Sequence, residues 1–78
     1  MGKKEIYYFY IENGDEKCVV KLTYDFLWKL LVIKGSEPYG MIYEFDNKNS
    51  FDDVVEYLSQ NYDYVQEISK GEIIDYIK

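Results

Sequence analysis

Two β-rich segments joined by a turn form the strongest structural signal in this chain. Residues 4–11 read Lys-Glu-Ile-Tyr-Tyr-Phe-Tyr-Ile, and residues 17–22 read Lys-Cys-Val-Val-Lys-Leu. β-Branched and aromatic side chains of this kind favour strands. Asn13-Gly14 lies between the segments, and this dipeptide is typical of a type I′ turn, whose two central residues both need a positive φ. The sequence therefore predicts an antiparallel hairpin.

A helix is predicted directly after this hairpin. Thr23 is a suitable N-cap, and Gly35 is a suitable C-terminal stop. Apolar residues between them recur at helical spacing, at Tyr24, Leu27, Trp28 and Leu31. A strand over residues 30–34 is the alternative, because that segment is short and almost wholly apolar. Residues 41–45 are predicted to form a third strand.

The second half of the chain carries two capping-box patterns. Ser50 precedes Asp53 by three residues, and Ser69 precedes Glu72 in the same way. The first box precedes an apolar helical stripe made of Phe51, Val54, Val55 and Leu58. The second precedes a helix whose Ile73, Ile74 and Ile77 are predicted to face the core. Residues 64–68 between the two helices are predicted to form a further strand.

These elements predict one small α+β domain over residues 1–78, since 78 residues leave no room for a second domain. The predicted order is β-β-α-β-α-(β)-α. The expected architecture is a small antiparallel sheet of three to four strands with helices packed on one face.

The residue types that are missing exclude most catalytic chemistry. The chain has no His, no Arg and a single cysteine, Cys18. Triads that need His and zinc sites that need His or several Cys are therefore ruled out. No Gly-rich phosphate loop is present, and residues 46–51 lack the glycine that an EF-hand loop requires. We therefore expect no enzyme activity, no cofactor and no metal.

A cytoplasmic protein of a low-GC bacterial or archaeal host, or of one of their viruses, is expected. A lone thiol fits a reducing compartment, and no apolar stretch approaches the roughly 20 residues of a membrane span. The heavy use of Lys, Ile, Tyr, Asp and Glu and the lack of Arg and Ala are typical of AT-rich coding sequence.

The negative charge is concentrated in the second half of the chain. Residues 40–78 hold three Lys and nine acids, which accounts for the whole net charge of −6. The helix dipole explains acids in first helical turns, such as Asp52, Asp53 and Glu72. One interpretation of the remaining acids is a solvated surface that promotes solubility. The second is a binding surface for a basic partner, with candidate residues Glu44, Asp46, Asp52, Asp53, Glu56, Asp63 and Glu67.

The functional hypothesis is a non-enzymatic, inhibitor-like protein that occupies a basic surface of a partner protein. In its sharpest form the carboxylates mimic the phosphates of a nucleic acid and cover a nucleic-acid-binding site. Small acidic inhibitors that phages encode against restriction or CRISPR systems have the same short, motif-free, acidic character, and the likeness is one of composition. Direct binding to nucleic acid is not expected, because phosphates would repel a net charge of −6.

Tyrosine supports a structural alternative. The chain has ten tyrosines, and Tyr7, Tyr8 and Tyr10 alternate across both faces of the first predicted strand. Tyr is enriched at interfaces because it offers a large contact area and a polar tip. The alternative is therefore a module that docks, or forms a homodimer, through its Tyr-rich sheet, including edge-to-edge pairing of an exposed first strand.

Overall fold

Five strands and two short helices make up the part of the chain that the structure describes. The computed structural model describes residues 5–34 and 37–76, except for the side chains of residues 34 and 37–39. The strands are β1 (Glu5–Asn13), β2 (Glu16–Asp25), β3 (Leu27–Lys34), β4 (Glu37–Glu44) and β5 (Tyr64–Ile68). The helices are α1 (Phe51–Asn61) and α2 (Ile73–Tyr76), and a 3₁₀ turn (Lys70–Glu72) leads into α2.

The five strands form one antiparallel sheet in the order β4-β3-β2-β1-β5. The first four strands follow one another as a meander. Helix α1 then carries the chain from the β4 edge to the opposite edge, where β5 pairs with β1. Residues 8–12 of β1 therefore have hydrogen-bonded neighbours on both sides, whereas residues 5–7 pair with β2 alone. The predicted edge-to-edge pairing of an exposed first strand is wrong for residues 8–12, because β5 covers that edge.

The predicted fold class is also wrong: five strands follow the order β-β-β-β-α-β-α. The predicted helix from Thr23 to Gly35 is instead the end of β2 and the whole of β3, with Gly35 outside the described residues. Trp28 and Leu30 point to the core, and Leu30 is 0% exposed. Lys29 lies between them on the opposite face, opposite Thr23 of β2. Alternation of side chains along a paired strand therefore overrides the helical spacing.

The predicted first hairpin is confirmed, but its turn lies one residue later than expected. Asn13 is the last residue of β1 and pairs with Glu16, so Gly14 and Asp15 are the two turn residues. Gly14 has a φ of 65°, whereas Asn13 does not have a positive φ. A glycine with positive φ at the first central position is the pattern of a type II′ turn.

Both faces of the sheet are covered, at least in part, by a helix. We call the side that packs against α1 the helix face. Its buried core consists of Phe9, Ile11, Val20, Leu22, Trp28, Leu30, Phe45, Val54 and Leu58. We call the other side the open face. There α2 packs Ile73 and Tyr76 against a smaller core of Tyr10, Val19, Ile33 and Ile68. The prediction that the helices share one face is therefore wrong.

The predicted capping boxes are both confirmed. At the start of α1, Ser50 N donates to Asp53 Oδ2 at 2.9 Å and Asp53 N donates to Ser50 Oγ at 3.3 Å. Ser69 N donates to Glu72 Oε1 at 2.8 Å. Three isoleucines were predicted to face the core: Ile73 does so, Ile74 does not because it is 66% exposed, and Ile77 lies outside the described residues. No helix within residues 5–34 and 37–76 is both long and apolar enough to cross a membrane.

Candidate interaction surface

The seven acidic residues predicted to bind a partner are all exposed, but they do not lie on one face. Helix α1 carries three of them, and two more, Asp46 and Asp63, lie just beyond its two ends. Glu67 lies on the helix face, because it pairs with Phe9 of the helix-face core. Glu44 pairs with Lys29 on the open face. The structure therefore brings six of the seven acids to the α1 side and excludes Glu44.

Three acids of this set hold the fold together through hydrogen bonds. Asp46 Oδ1 accepts from Lys48 N at 2.8 Å inside the turn before α1. Asp63 Oδ2 accepts from Gly14 N at 2.8 Å and so ties the start of β5 to the β1–β2 turn. Asp53 caps α1, and the hydrogen bond from the Ser50 backbone, followed by that from the Asn49 amide, lowers the pKa of its carboxyl group. These three residues have structural roles that do not depend on a partner.

The remaining acids of the α1 side are Asp52, Glu56 and Glu67, which we call the acidic face. None of them has a side-chain hydrogen bond or an ion pair within the part of the chain that the structure describes. Asp52 and Glu56 are four residues apart on α1, so their side chains are neighbours. Such a like-charge pair costs a few tenths of a kcal/mol, about 0.2–0.5. The dipole of α1 favours Asp52 in its first turn and offsets that cost, but it does not account for Glu56.

The lysines of the central strands lie on the opposite side of the molecule. Lys17, Lys21 and Lys29 alternate with helix-face core residues along β2 and β3, and their side chains therefore project from the open face. Among the described residues, the only ion pair joins Lys29 Nζ to Glu44 Oε2 at 3.9 Å, also on the open face. The lysines of β2 and β3 are thus separated by the sheet from the acids of the α1 side, whereas the open face carries acids as well as lysines, Glu12 and Glu44 among them.

A second group of acids, which the sequence reasoning missed, lies at the tip of the β1–β2 hairpin. Glu12, Asp15 and Glu16 are close together in the chain, and the bond between Gly14 and Asp63 adds a fourth carboxylate. Asp63 N also donates to Glu12 O at 2.9 Å. The sequence does not reveal this group, because Asp63 lies almost fifty positions after the other three acids. No cluster with metal-binding geometry occurs in the described residues.

The tyrosines of β1 serve mainly in packing. Tyr7 lies on the helix face, with its ring centroid 4.8 Å from that of Phe51. Tyr10 is 8% exposed and packs on Tyr76 with centroids 4.6 Å apart. Its hydroxyl donates to Glu12 Oε2 at 2.6 Å, and this bond, with burial as a lesser cause, raises the pKa of Tyr10 to about 12. Of the three predicted interface tyrosines, only Tyr8 is half-buried on the open face, where it packs against the smaller core.

The environment of Cys18 does not suit catalysis. A shallow depression of about 240 Å³ lies beside it, below the roughly 300–1,000 Å³ of most ligand pockets, and is lined by Ile11, Asn13, Glu16, Cys18 and Tyr62. Burial raises the pKa of the Cys18 thiol, and the nearby charge of Glu16 raises it further. The thiolate is the reactive form, so Cys18 is a poor nucleophile at neutral pH.

The chain was also compared with known proteins. No protein-family model, no curated protein and no solved structure matches it. No activity, substrate or partner therefore carries over to this chain from a relative.

Proposed function

We propose that this protein is a non-enzymatic binding module whose acidic face occupies a basic surface of a protein partner. The observation that carries the proposal is the position of Asp52, Glu56 and Glu67. All three are exposed, none has a partner among the described side chains, and the lysines of β2 and β3 lie on the other side of the sheet.

A surface of one charge sign has a physical use in association. Fields of one sign steer an oppositely charged partner and raise its association rate, and they discourage partners of the same sign. Carboxylates held on a helix are also better positioned than carboxylates on a loop, because the helix backbone is ordered. Capping by Ser50 and Asp53 fixes the start of α1 and therefore the position of Asp52.

A nucleic-acid-binding protein is the partner class that fits this surface best. Such proteins present clustered Lys and Arg side chains to phosphates. Carboxylates one helical turn apart can engage two of these cations at once. We place the protein in the cytoplasm of a low-GC bacterial or archaeal host, as a phage-type anti-defence protein. The lone Cys18 and the short, acidic, motif-free chain support that placement.

A pair of charge reversals tests the proposal. The variant Asp52→Lys/Glu56→Lys removes the acidic face of α1 and keeps the cap at Asp53. The matched control, Asp15→Lys/Glu16→Lys, makes the same charge change at the hairpin tip, where both residues are exposed. Tagged proteins serve as baits in a lysate of the organism that encodes the chain, and bound proteins are quantified by mass spectrometry.

The proposal predicts that basic proteins captured by the unaltered chain are lost from the α1 variant and retained by the control. Circular dichroism and thermal unfolding show whether each variant is folded. Equal capture by both variants would contradict the proposal. Equal loss from both would also contradict it, because binding would then depend on net charge and not on the acidic face.

A second candidate function is self-association through the open face. Ile6 is 45% exposed and Met41 is 55% exposed, and both lie on this face with the half-buried Tyr8. Sedimentation velocity over a range of concentrations tests it. A dimer that Tyr8→Lys dissociates would support this candidate, whereas a monomer at all concentrations would exclude it. Tyr10, which is buried, is not a useful site for this test.

A further inference from the structure

The most exposed large apolar side chain in the described structure belongs to Phe26. It is 80% exposed, whereas the next most exposed, Ile74, is 66% exposed. Phe26 lies at the reversal between β2 and β3, where Asp25 and Leu27 are paired and Phe26 is the only residue between them. The ring therefore projects from the end of the sheet and contributes almost nothing to the core.

The backbone of Phe26 is strained as well. Its φ is 74°, and it is the only residue other than glycine with a positive φ in the described part of the chain. A side chain at this φ brings Cβ close to the following carbonyl oxygen, and glycine is the residue that avoids this contact. Neither local conformation nor packing accounts for a phenylalanine at this position. Strained residues of this kind are concentrated at ligand-binding and recognition sites.

Phe26 lies at the same end of the molecule as the start of α1. Phe45 N donates to Trp28 O at 2.8 Å, and the Phe51 ring centroid is 5.6 Å from that of Trp28. Trp28 is two residues after Phe26, and Phe51 immediately precedes Asp52 on α1. Asp25, next to Phe26, is exposed too. Among the described residues, the apolar tip thus has a carboxylate beside it at Asp25 and the carboxylate of Asp52 at the same end of the molecule.

We infer that Phe26 is the anchor residue of the interface, inserting into an apolar pocket whose rim carries Lys or Arg on the protein that the acidic face binds. The inference rests on the proposed function and extends it to a specific residue. In interfaces a few aromatic anchors near the centre contribute most of the affinity, and the charged rim sets specificity and association rate. The acidic face provides that rim.

Photo-crosslinking followed by titration tests this inference. Benzoylphenylalanine is placed at position 26, and in a matched control at position 74, the next most exposed apolar position. The protein that crosslinks at position 26 is identified, produced in pure form and titrated with the unaltered chain, Phe26→Ser, Phe26→Tyr and Ile74→Ser. The expected result is at least a tenfold weaker affinity for Phe26→Ser, partial recovery for Phe26→Tyr, and a change below about twofold for Ile74→Ser.

The outcomes separate this inference from the proposed function. If Phe26→Ser binds like the unaltered chain and Asp52→Lys/Glu56→Lys does not, the anchor is wrong and the acidic face stands. If neither change affects binding, both proposals fail. Co-sedimentation with phosphatidylcholine vesicles, with and without anionic lipid, covers the membrane case. Vesicle binding that Phe26→Ser abolishes would overturn the inference in favour of a lipid surface.

Discussion

Replacing Phe26 with glycine should stabilise the protein, although glycine in the middle of a strand normally has the opposite effect. A residue with a side chain costs about 1–2 kcal/mol in the left-handed region, and glycine avoids that cost. Glycine also increases the entropy of the unfolded chain, which removes about 0.5–1 kcal/mol of the gain. The ring is 80% exposed, so its removal costs little. The net expectation is a gain of up to about 1.5 kcal/mol, with a midpoint of about 0.75 kcal/mol that raises the melting temperature by about 3–6 °C in a domain of this size.

Phe26→Ala is the matched control for this prediction. Alanine removes the ring but keeps Cβ and therefore keeps the strain at a φ of 74°. Urea unfolding monitored by circular dichroism gives the free energy of unfolding of both variants. The glycine variant should be more stable than the alanine variant. A glycine variant less stable than the alanine variant by about 0.5–1 kcal/mol, as at an ordinary strand position, would refute the argument from strain.

Three further predictions concern the cap of α1, the ionisation of Asp53 and the ionisation of Tyr10. Ser50→Ala should lower the free energy of unfolding by about 1 kcal/mol in urea titrations, since it removes the acceptor for Asp53 N. The pKa of Asp53 is lowered in the folded state, so its contribution to stability is present above its unfolded pKa and is lost as the pH falls through its folded pKa. Asp53→Asn should therefore reduce the loss of unfolding free energy at acid pH. An unchanged loss at acid pH would contradict this. For Tyr10 the sign is opposite, because its folded pKa is about 12 and the ordinary value is 10.0: stability is present below pH 10 and is lost between about pH 10 and 12. Tyr7 and Tyr62 also have raised pKa values, so absorbance at 295 nm should show one late-titrating phenol fewer in Tyr10→Phe than in the unaltered chain, and an unchanged number would count against the bond to Glu12.

The elements predicted correctly are those with local signals. The hairpin of β1 and β2 follows from β-rich segments around a glycine turn, and α1 follows from the capping box at Ser50 and Asp53. These signals involve residues only a few positions apart, so the sequence alone can reveal them. Strand β5 was also predicted, although its pairing with β1 was not.

Strand β3 shows why a local pattern is not sufficient. Leu27, Trp28 and Leu31 fit a helical spacing, whereas Trp28 and Leu30 fit the alternation of a strand. Only pairing with β2 decides between the two patterns, and a pairing partner is a property of the whole fold. The error at this element changed the strand count, the sheet order and the face on which the helices pack.

The candidate surface depended on the same long-range information. A helical or strand pattern is enough to predict that the acids at positions 52, 56 and 67 are exposed. That the lysines of β2 and β3 lie on the opposite face follows only from the sheet order. The structural role of Asp63 could not be predicted, because its partner Gly14 is 49 positions away. The strain at Phe26 was missed because the predicted helix covered that turn.

The dependence of affinity on salt is the most direct test of the acidic face. The dissociation constant for the captured partner is measured by titration from about 50 to 500 mM NaCl, where the Debye length falls from above 10 Å to below 8 Å. Our account predicts that the unaltered chain loses affinity steeply with salt, and that Asp52→Asn/Glu56→Gln binds more weakly and with a shallower salt dependence. An affinity that is independent of salt, or a slope that the two neutral substitutions leave unchanged, would contradict it.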